Sequence, residues 1–238
     1  MEAKLNELVK RLSDAAADNL KAVVLYGSAV SGDYYPKHSD LNIFCLVERA
    51  GVAELEQLHS PAKWWMRQGN PAPLIFTFAE MKRSADIFAI EFLDMKRHHR
   101  MLYGEEFLDS FDIPMGLHRM QTERELRTNW VRLRRAILAA PRKRKNDLAI
   151  MLSSVSAFCV LFGHAVIALG GTAPANKREA VDGAASLAGA DASVFHAILD
   201  LREGRRKEKD IDAEAALEKY MAFVEAVTGE VDRRLETK

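Results

Sequence analysis

Gly27 and Ser28 follow the apolar run Val23-Val24-Leu25-Tyr26, and Ser39-Asp40-Leu41-Asn42-Ile43 begins eleven positions after Ser28. Side chains of an extended segment alternate between two faces. Asp40 and Asn42 therefore share one face, while Leu41 and Ile43 turn toward a core. Two oxygen-bearing side chains beside a turn that can hold a phosphate form the layout of a metal-assisted phosphoryl-transfer site. Gly27 suits such a turn because a β-carbon would block close approach of backbone to phosphate. Backbone N–H groups and the Ser28 hydroxyl would face that phosphate.

The metal half of this pattern is incomplete. Magnesium takes oxygen ligands, preferably anionic ones. Asp40 offers a carboxylate, whereas Asn42 offers an amide carbonyl that brings no charge to offset a dication. The apolar stretch Pro73-Leu74-Ile75-Phe76-Thr77-Phe78 carries no acid. His98 and His99, beside Arg97 and Arg100, read as surface residues, since adjacent histidines point different ways and lack a partner at ligand spacing.

Positioning these groups requires a sheet. Leu5, Leu8, Val9, Leu12 and Ala16 recur at helical spacing and predict an amphipathic helix laid on it. Strands are expected at about 21–26, 40–47 and 73–78. Val52 to Gln68 reads as helix, with Pro61 forcing a break or a fresh start. A short helix follows Glu80, and residues 89–95 and 100–104 are ambiguous between helix and short strands. From His118 onward only helical patterns appear: 122–140, 147–169, about 175–187, 191–201 and 212–235. Pro141, Gly170-Gly171, Pro174, Gly189 and Gly204 fall between them. Asp191 is a candidate N-cap, and Gly170 a residue just past a helix end. The fold class is thus α+β: a small mixed sheet flanked by helices over 1–115, then an all-α helical bundle over 116–238.

The chain has 238 residues, is 48% hydrophobic and carries a net charge of zero. It therefore has no overall pull toward nucleic acid or anionic membrane. Cys45 and Cys159 sit in apolar runs and read as buried thiols of a reducing compartment. No signal-peptide core opens the chain, and the apolar stretch Ala149–Gly170 reads as a core helix, so no membrane partner and a cytoplasmic location are expected. Basic residues from Arg119 to Lys145 far outnumber Glu123 and Glu125. They read either as a solvated face or as a cleft wall that binds triphosphate or an anionic acceptor. A nucleic-acid partner is not expected, because only Trp130 could stack a base amid that charge. Trp64 and Trp65 read as packing residues. Asp33, Tyr34, Tyr35, Lys37 and His38 read as a solvated loop.

The apolar strand, Gly27-Ser28, the gap and Asp40-Leu41-Asn42-Ile43 together resemble the nucleotidyltransferase superfamily, of the DNA polymerase beta-like and kanamycin-nucleotidyltransferase-like kind. The segment Glu91 to Gly104, ending Met101-Leu102-Tyr103-Gly104, and the helical half with Gly170-Gly171-Thr172-Ala173-Pro174 are similar more loosely. The resemblance implies ATP or another triphosphate, magnesium, and transfer of a nucleoside monophosphate to a hydroxyl of a small molecule or protein. It carries Gly27 and Ser28 onto the phosphate-binding turn and Asp40 onto the first metal acid. Asn42 falls at the second acid's position without its chemistry, and the third carboxylate that the resemblance implies could be Glu91 or Asp94 if residues 89–95 are extended and lie next in the sheet. The alternative is a degenerate nucleotide-binding or interaction module, antitoxin-like or regulatory, without turnover. The ribonuclease version of such a module carries an Arg four to six residues before a His, which neither His164 nor His196 has. The acceptor and the oligomeric state stay open; an oligomer is compatible with the sequence.

Overall fold

Strand β1 (Leu20–Tyr26) is the sheet's centre because Ala22 to Leu25 are buried on both faces. It pairs antiparallel with β2 (Asn42–Val47) on one side and with β4 (His99–Tyr103) on the other. Strand β3 (Leu74–Thr77) adds parallel to β2, giving the order β3-β2-β1-β4. The computed structural model describes residues 1–32 and 40–236. Asp33 to His38, read above as loop, and Ser39 lie outside the described residues.

Alternation along the strands builds two cores. Val23, Leu25, Leu41, Ile43, Cys45 and Val47 face the helices α1 (Glu2–Ala16) and α2 (Val52–Met66). Leu5, Leu8 and Leu12 of α1 are fully buried in this layer, each contributing about 1.5–3 kcal/mol of apolar burial. Burial pushes the Cys45 thiol up to about 12. Ala22, Val24, Phe44 and Leu46 face α3 (Phe78–Ser84) and α4 (Ala89–Arg97), with Phe76 stacked on Phe44 at 5.9 Å and edge-on to Phe92 at 5.7 Å.

One expectation changes and two open readings are settled. Pro61 does not break α2, which runs continuously through it. A helix-interior proline costs about 3 kcal/mol; here its ring lies buried on the same stripe as Leu58 and Trp65, and that burial offsets the lost hydrogen bond. Residues 89–97 are helix, not strand, because Ile90, Phe92 and Met95 find a helical burial pattern against the sheet. Strand β4 is a separate element that closes the edge beyond β1. It ends at Gly104, whose φ is +84°. A β-carbon there would stand 2.1 Å from the Lys21 carbonyl oxygen, so the edge packs directly on β1 backbone.

The chain divides into two compact units, Met1–Met115 and Gly116–Lys238. The second contains α5 (His118–Ala139), α6 (Arg144–Ala168), α7 (Lys177–Ala188), α8 (Ser193–Arg202) and α9 (Ala213–Glu236). Its core centres on Phe158, Phe162, Phe195, Tyr220 and Phe223, with the Phe195 and Tyr220 rings stacked at 4.2 Å. Helix α6 is long and apolar enough to cross a membrane, and half of its most apolar window is buried within the unit. It ends as a Schellman turn: Gly170 N–H donates to Ile167 O and Gly171 N–H to Val166 O. Asp191, expected as the N-cap of α8, stands one residue before the actual N-cap, Ala192, and its carboxylate accepts from Ser193 N–H. Cys159 is buried, as is Cys45.

Candidate active site at the end of the sheet

Antiparallel register places Tyr26 opposite Asn42 on one side and opposite His99 on the other. Residues directly opposite each other across such strands project to the same face. Asn42, Tyr26 and His99 therefore form a row across three strands, on the face that α3 and α4 cover. Asp40 is exposed and lies two residues before Asn42, just outside β2. Leu41 and Ile43 turn into the opposite core, as alternation requires. The Leu41 N–H is tied to the Asn70 side chain at 3.2 Å, which fixes the entry to β2.

The turn after β1 is a single 3₁₀ turn, Gly27–Ala29. Gly27 has φ +78°, a conformation that favours glycine. Its missing side chain leaves room for Asn42: a β-carbon on Gly27 would lie 3.3 Å from Asn42 Nδ2. The Gly27 N–H donates to His98 O at 3.0 Å, continuing the β1–β4 ladder, and the Gly27 carbonyl accepts from Val30 and Ser31. The glycine's own N–H is thus taken by the sheet rather than held out to a ligand, contrary to the expectation for this turn. Ser28 is half-buried beside it.

Glu91 does not extend the sheet. It lies on α4, exposed, and neither β3 nor β4 carries an acid. The expectation of an acid on a neighbouring strand is thus not met by Glu91. Burial pushes the Tyr26 phenol above its usual pKa, and the negative charge of Glu91 pushes it further.

His99 is not a surface residue. Its side chain is 12% exposed and lies 2.9 Å from Glu106, with Asp109 close by. Burial raises the Glu106 pKa, but hydrogen bonds from His99 and from the N–H groups of Leu108 and Asp109, with the His99 charge, outweigh it and hold the carboxyl below its ordinary value. Sequence reasoning missed this group because its acids stand seven and ten positions beyond the histidine. Only the turn after β4 brings them back.

In the helical unit, Arg127 is engaged by Glu123 at 2.7 Å and by Asp232 at 2.8 Å, and Arg142 pairs with Asp147 at 3.4 Å. Trp130 is 8% exposed, with the Arg134 guanidinium 4.5 Å over its ring, so it presents no open face to a base. Trp65 is fully buried, and Trp64 packs beside it under Arg11.

A mixed four-stranded sheet with flanking helices, a Gly-Ser corner after its central strand and a helical second half make this a nucleotidyltransferase-like fold. Among solved structures, the chain matches spectinomycin adenyltransferase AAD(9) from Enterococcus faecialis, solved with ATP and spectinomycin. The TM-score is 0.59 over 94% of this chain and 99% of that one, at 14% identity. At that identity the likeness establishes the fold. No protein-family model and no curated protein matches the sequence.

Proposed function

We propose that this chain binds a nucleoside triphosphate at the Gly27–Ser28 corner and transfers its nucleoside monophosphate to a hydroxyl of a small molecule. The observation that carries this reading is the placement of Gly27 against Asn42, with Tyr26 between Asn42 and His99 on one face. The spectinomycin adenyltransferase that shares the fold was solved with ATP and spectinomycin, which supports a triphosphate and a small-molecule acceptor. Because the Gly27 N–H is bonded to His98, phosphate contact falls to the Ser28 hydroxyl.

Asp40 and Asn42 fit one magnesium ion, since magnesium is commonly held by one or two protein oxygens together with substrate phosphates. Bound there it would offset phosphate charge. Glu91, whose charge reaches Tyr26, is the base for the acceptor. The acceptor hydroxyl gives its proton to the Glu91 carboxylate, and its oxygen bonds to the α-phosphorus. The bond from the α-phosphorus to the bridging oxygen breaks, and pyrophosphate leaves with that electron pair. A second reading, nucleotide binding without turnover in a regulatory or interaction role, is favoured by Asn42, which leaves the site one charge short.

Incubation with labelled ATP, GTP, CTP or UTP, magnesium and a panel of hydroxylated small molecules tests both readings. Acceptor-dependent pyrophosphate release that disappears in Glu91→Gln supports transfer. Binding without release leaves the second reading. Absence of any nucleotide binding removes both.

A further inference from the structure

We propose that His99, Glu106 and Asp109 form a binding site for a divalent transition-metal ion at the start of β4, separate from Asp40 and Asn42. One ligand atom from each of the three residues lies within 4.8 Å of the others. A tetrahedral ion with bonds of about 2.1 Å spaces its ligand atoms about 3.4 Å apart, which fits inside that span.

Hydrogen-bond logic requires something positive here. His99 Nδ1 lies 3.1 Å from the Lys96 carbonyl oxygen. A carbonyl oxygen only accepts, so Nδ1 carries the hydrogen and donates it. The other ring nitrogen, Nε2, lies 2.9 Å from Glu106 Oε2. An ionised carboxylate also only accepts. A neutral ring would therefore press a lone pair against an anionic oxygen. Either a second proton on the ring or a cation between the two removes that repulsion.

Asp109 decides between them. One ring proton satisfies one carboxylate, and a second carboxylate held within reach of both leaves the group with excess negative charge. A dication shared by all three balances it. The outer arrangement also matches a metal site: a ligating histidine typically donates its remaining N–H to a backbone carbonyl, as His99 does to Lys96. Glu106 Oε1 accepts from Leu108 N–H at 2.7 Å, Leu108 is fully buried, and Lys96 Nζ donates to Phe111 O at 2.9 Å. These contacts hold both ends of the turn, so the donors are arranged before an ion arrives.

One imidazole nitrogen with two carboxylates and open positions suits zinc, cobalt or manganese better than magnesium, which prefers oxygen alone. His99 stands two strands from Asn42 in the sheet. At about 4.8 Å per strand the separation is roughly 10 Å. That exceeds the roughly 3.5–4 Å between the ions of a shared two-metal centre. The His99 site thus stands or falls independently of nucleotide binding.

The test is a visible-absorption titration of the chelator-treated full chain with Co²⁺, with zinc displacement to confirm the site. One Co²⁺ per chain with ligand-field bands is expected. Affinity should fall at least about tenfold in His99→Ala and in Glu106→Gln, and less in Asp109→Asn. His59→Ala, at an exposed position on α2, and Asp40→Ala should both leave the titration unchanged. Circular dichroism of each variant separates loss of ligand from loss of fold. Titrations of His99→Ala and Glu106→Gln that match the parent, or absence of bound Co²⁺, would reduce the group to an imidazolium–carboxylate pair and overturn the site. Loss of Co²⁺ in Asp40→Ala would relocate the ion to the nucleotide corner and overturn it equally.

Discussion

Gly27 and Asn42 meet at the end of the β1–β2 ladder closely enough that a β-carbon on the glycine would come within 3.3 Å of Asn42 Nδ2, and the amide would have to give by a few tenths of an ångström. Gly27 also occupies a positive φ that L-residues rarely adopt. Gly27→Ala is therefore expected to cost about 1 kcal/mol or more of stability. The same methyl pushes Asn42 aside, so magnesium-dependent ATP binding should weaken in calorimetry even where the variant remains folded. An unchanged titration curve would detach the corner from nucleotide binding.

Asn42 marks where the site departs from full metal chemistry. Replacing its amide with a carboxylate adds a second anionic oxygen donor two residues from Asp40. Asn42→Asp is predicted to strengthen magnesium-dependent ATP binding by several-fold, about 1 kcal/mol, and Asp40→Ala to abolish it. Calorimetric titration of the three proteins decides, and equal affinities across them would remove the assignment.

Gly104 tests the edge of the sheet rather than the chemistry. Its positive φ and the 2.1 Å that would separate an added methyl from Lys21 O mean that Gly104→Ala must displace β4 from β1. A loss of about 2–4 kcal/mol is expected in urea unfolding. Because Tyr26 and His99 pair across that same boundary, Co²⁺ affinity should fall with it.

The corner was legible in the sequence because strand alternation and a Gly-Ser step are local signals. Val23 to Tyr26 and Asp40 to Ile43 announce their faces without reference to anything distant. The helices after His118 were legible for a similar reason, with glycine and proline between apolar periods. What failed was the stretch from Ala89 to Gly104. A short apolar run such as Ala89-Ile90-Glu91-Phe92 suits helix or strand equally, and tertiary packing against Phe76 and Phe111 settles it. Glu91 consequently lies on a helix rather than a strand. The His99–Glu106–Asp109 group was hidden because turn geometry, not spacing, assembles it.

Thr77 closes the end of β3 and opens α3 with a reciprocal capping box: Glu80 N–H donates to Thr77 Oγ1 at 3.2 Å, and Thr77 N–H donates to Glu80 Oε2 at 2.8 Å. Thr77→Ala should cost about 1 kcal/mol. The Thr77 backbone bond, then the hydroxyl bond, hold the Glu80 carboxyl below its ordinary value. A depressed carboxyl pKa gives stability that is present above the unfolded value, about 4.3, and is lost as pH falls through the folded value. Urea midpoints measured from pH 6 down to 3 should therefore converge for the parent and Thr77→Ala.

Tyr26 reports directly on Glu91. Burial is the larger cause of its raised pKa, and Glu91 the smaller. Glu91→Gln should therefore lower the Tyr26 pKa partway toward its usual value of about 10 without reaching it. Phenolate absorbance, with Tyr26→Phe as the difference reference, reads the shift among the five tyrosines. The sign for stability is the reverse of the Glu80 case: a raised pKa gives stability that is complete below about pH 10 and is lost as pH rises through the folded value. Removing the Glu91 charge narrows that window from its alkaline side. If Tyr26 titrates identically in the parent and in Glu91→Gln, the carboxylate is not beside the phenol, and Glu91 loses its claim to the acceptor's proton.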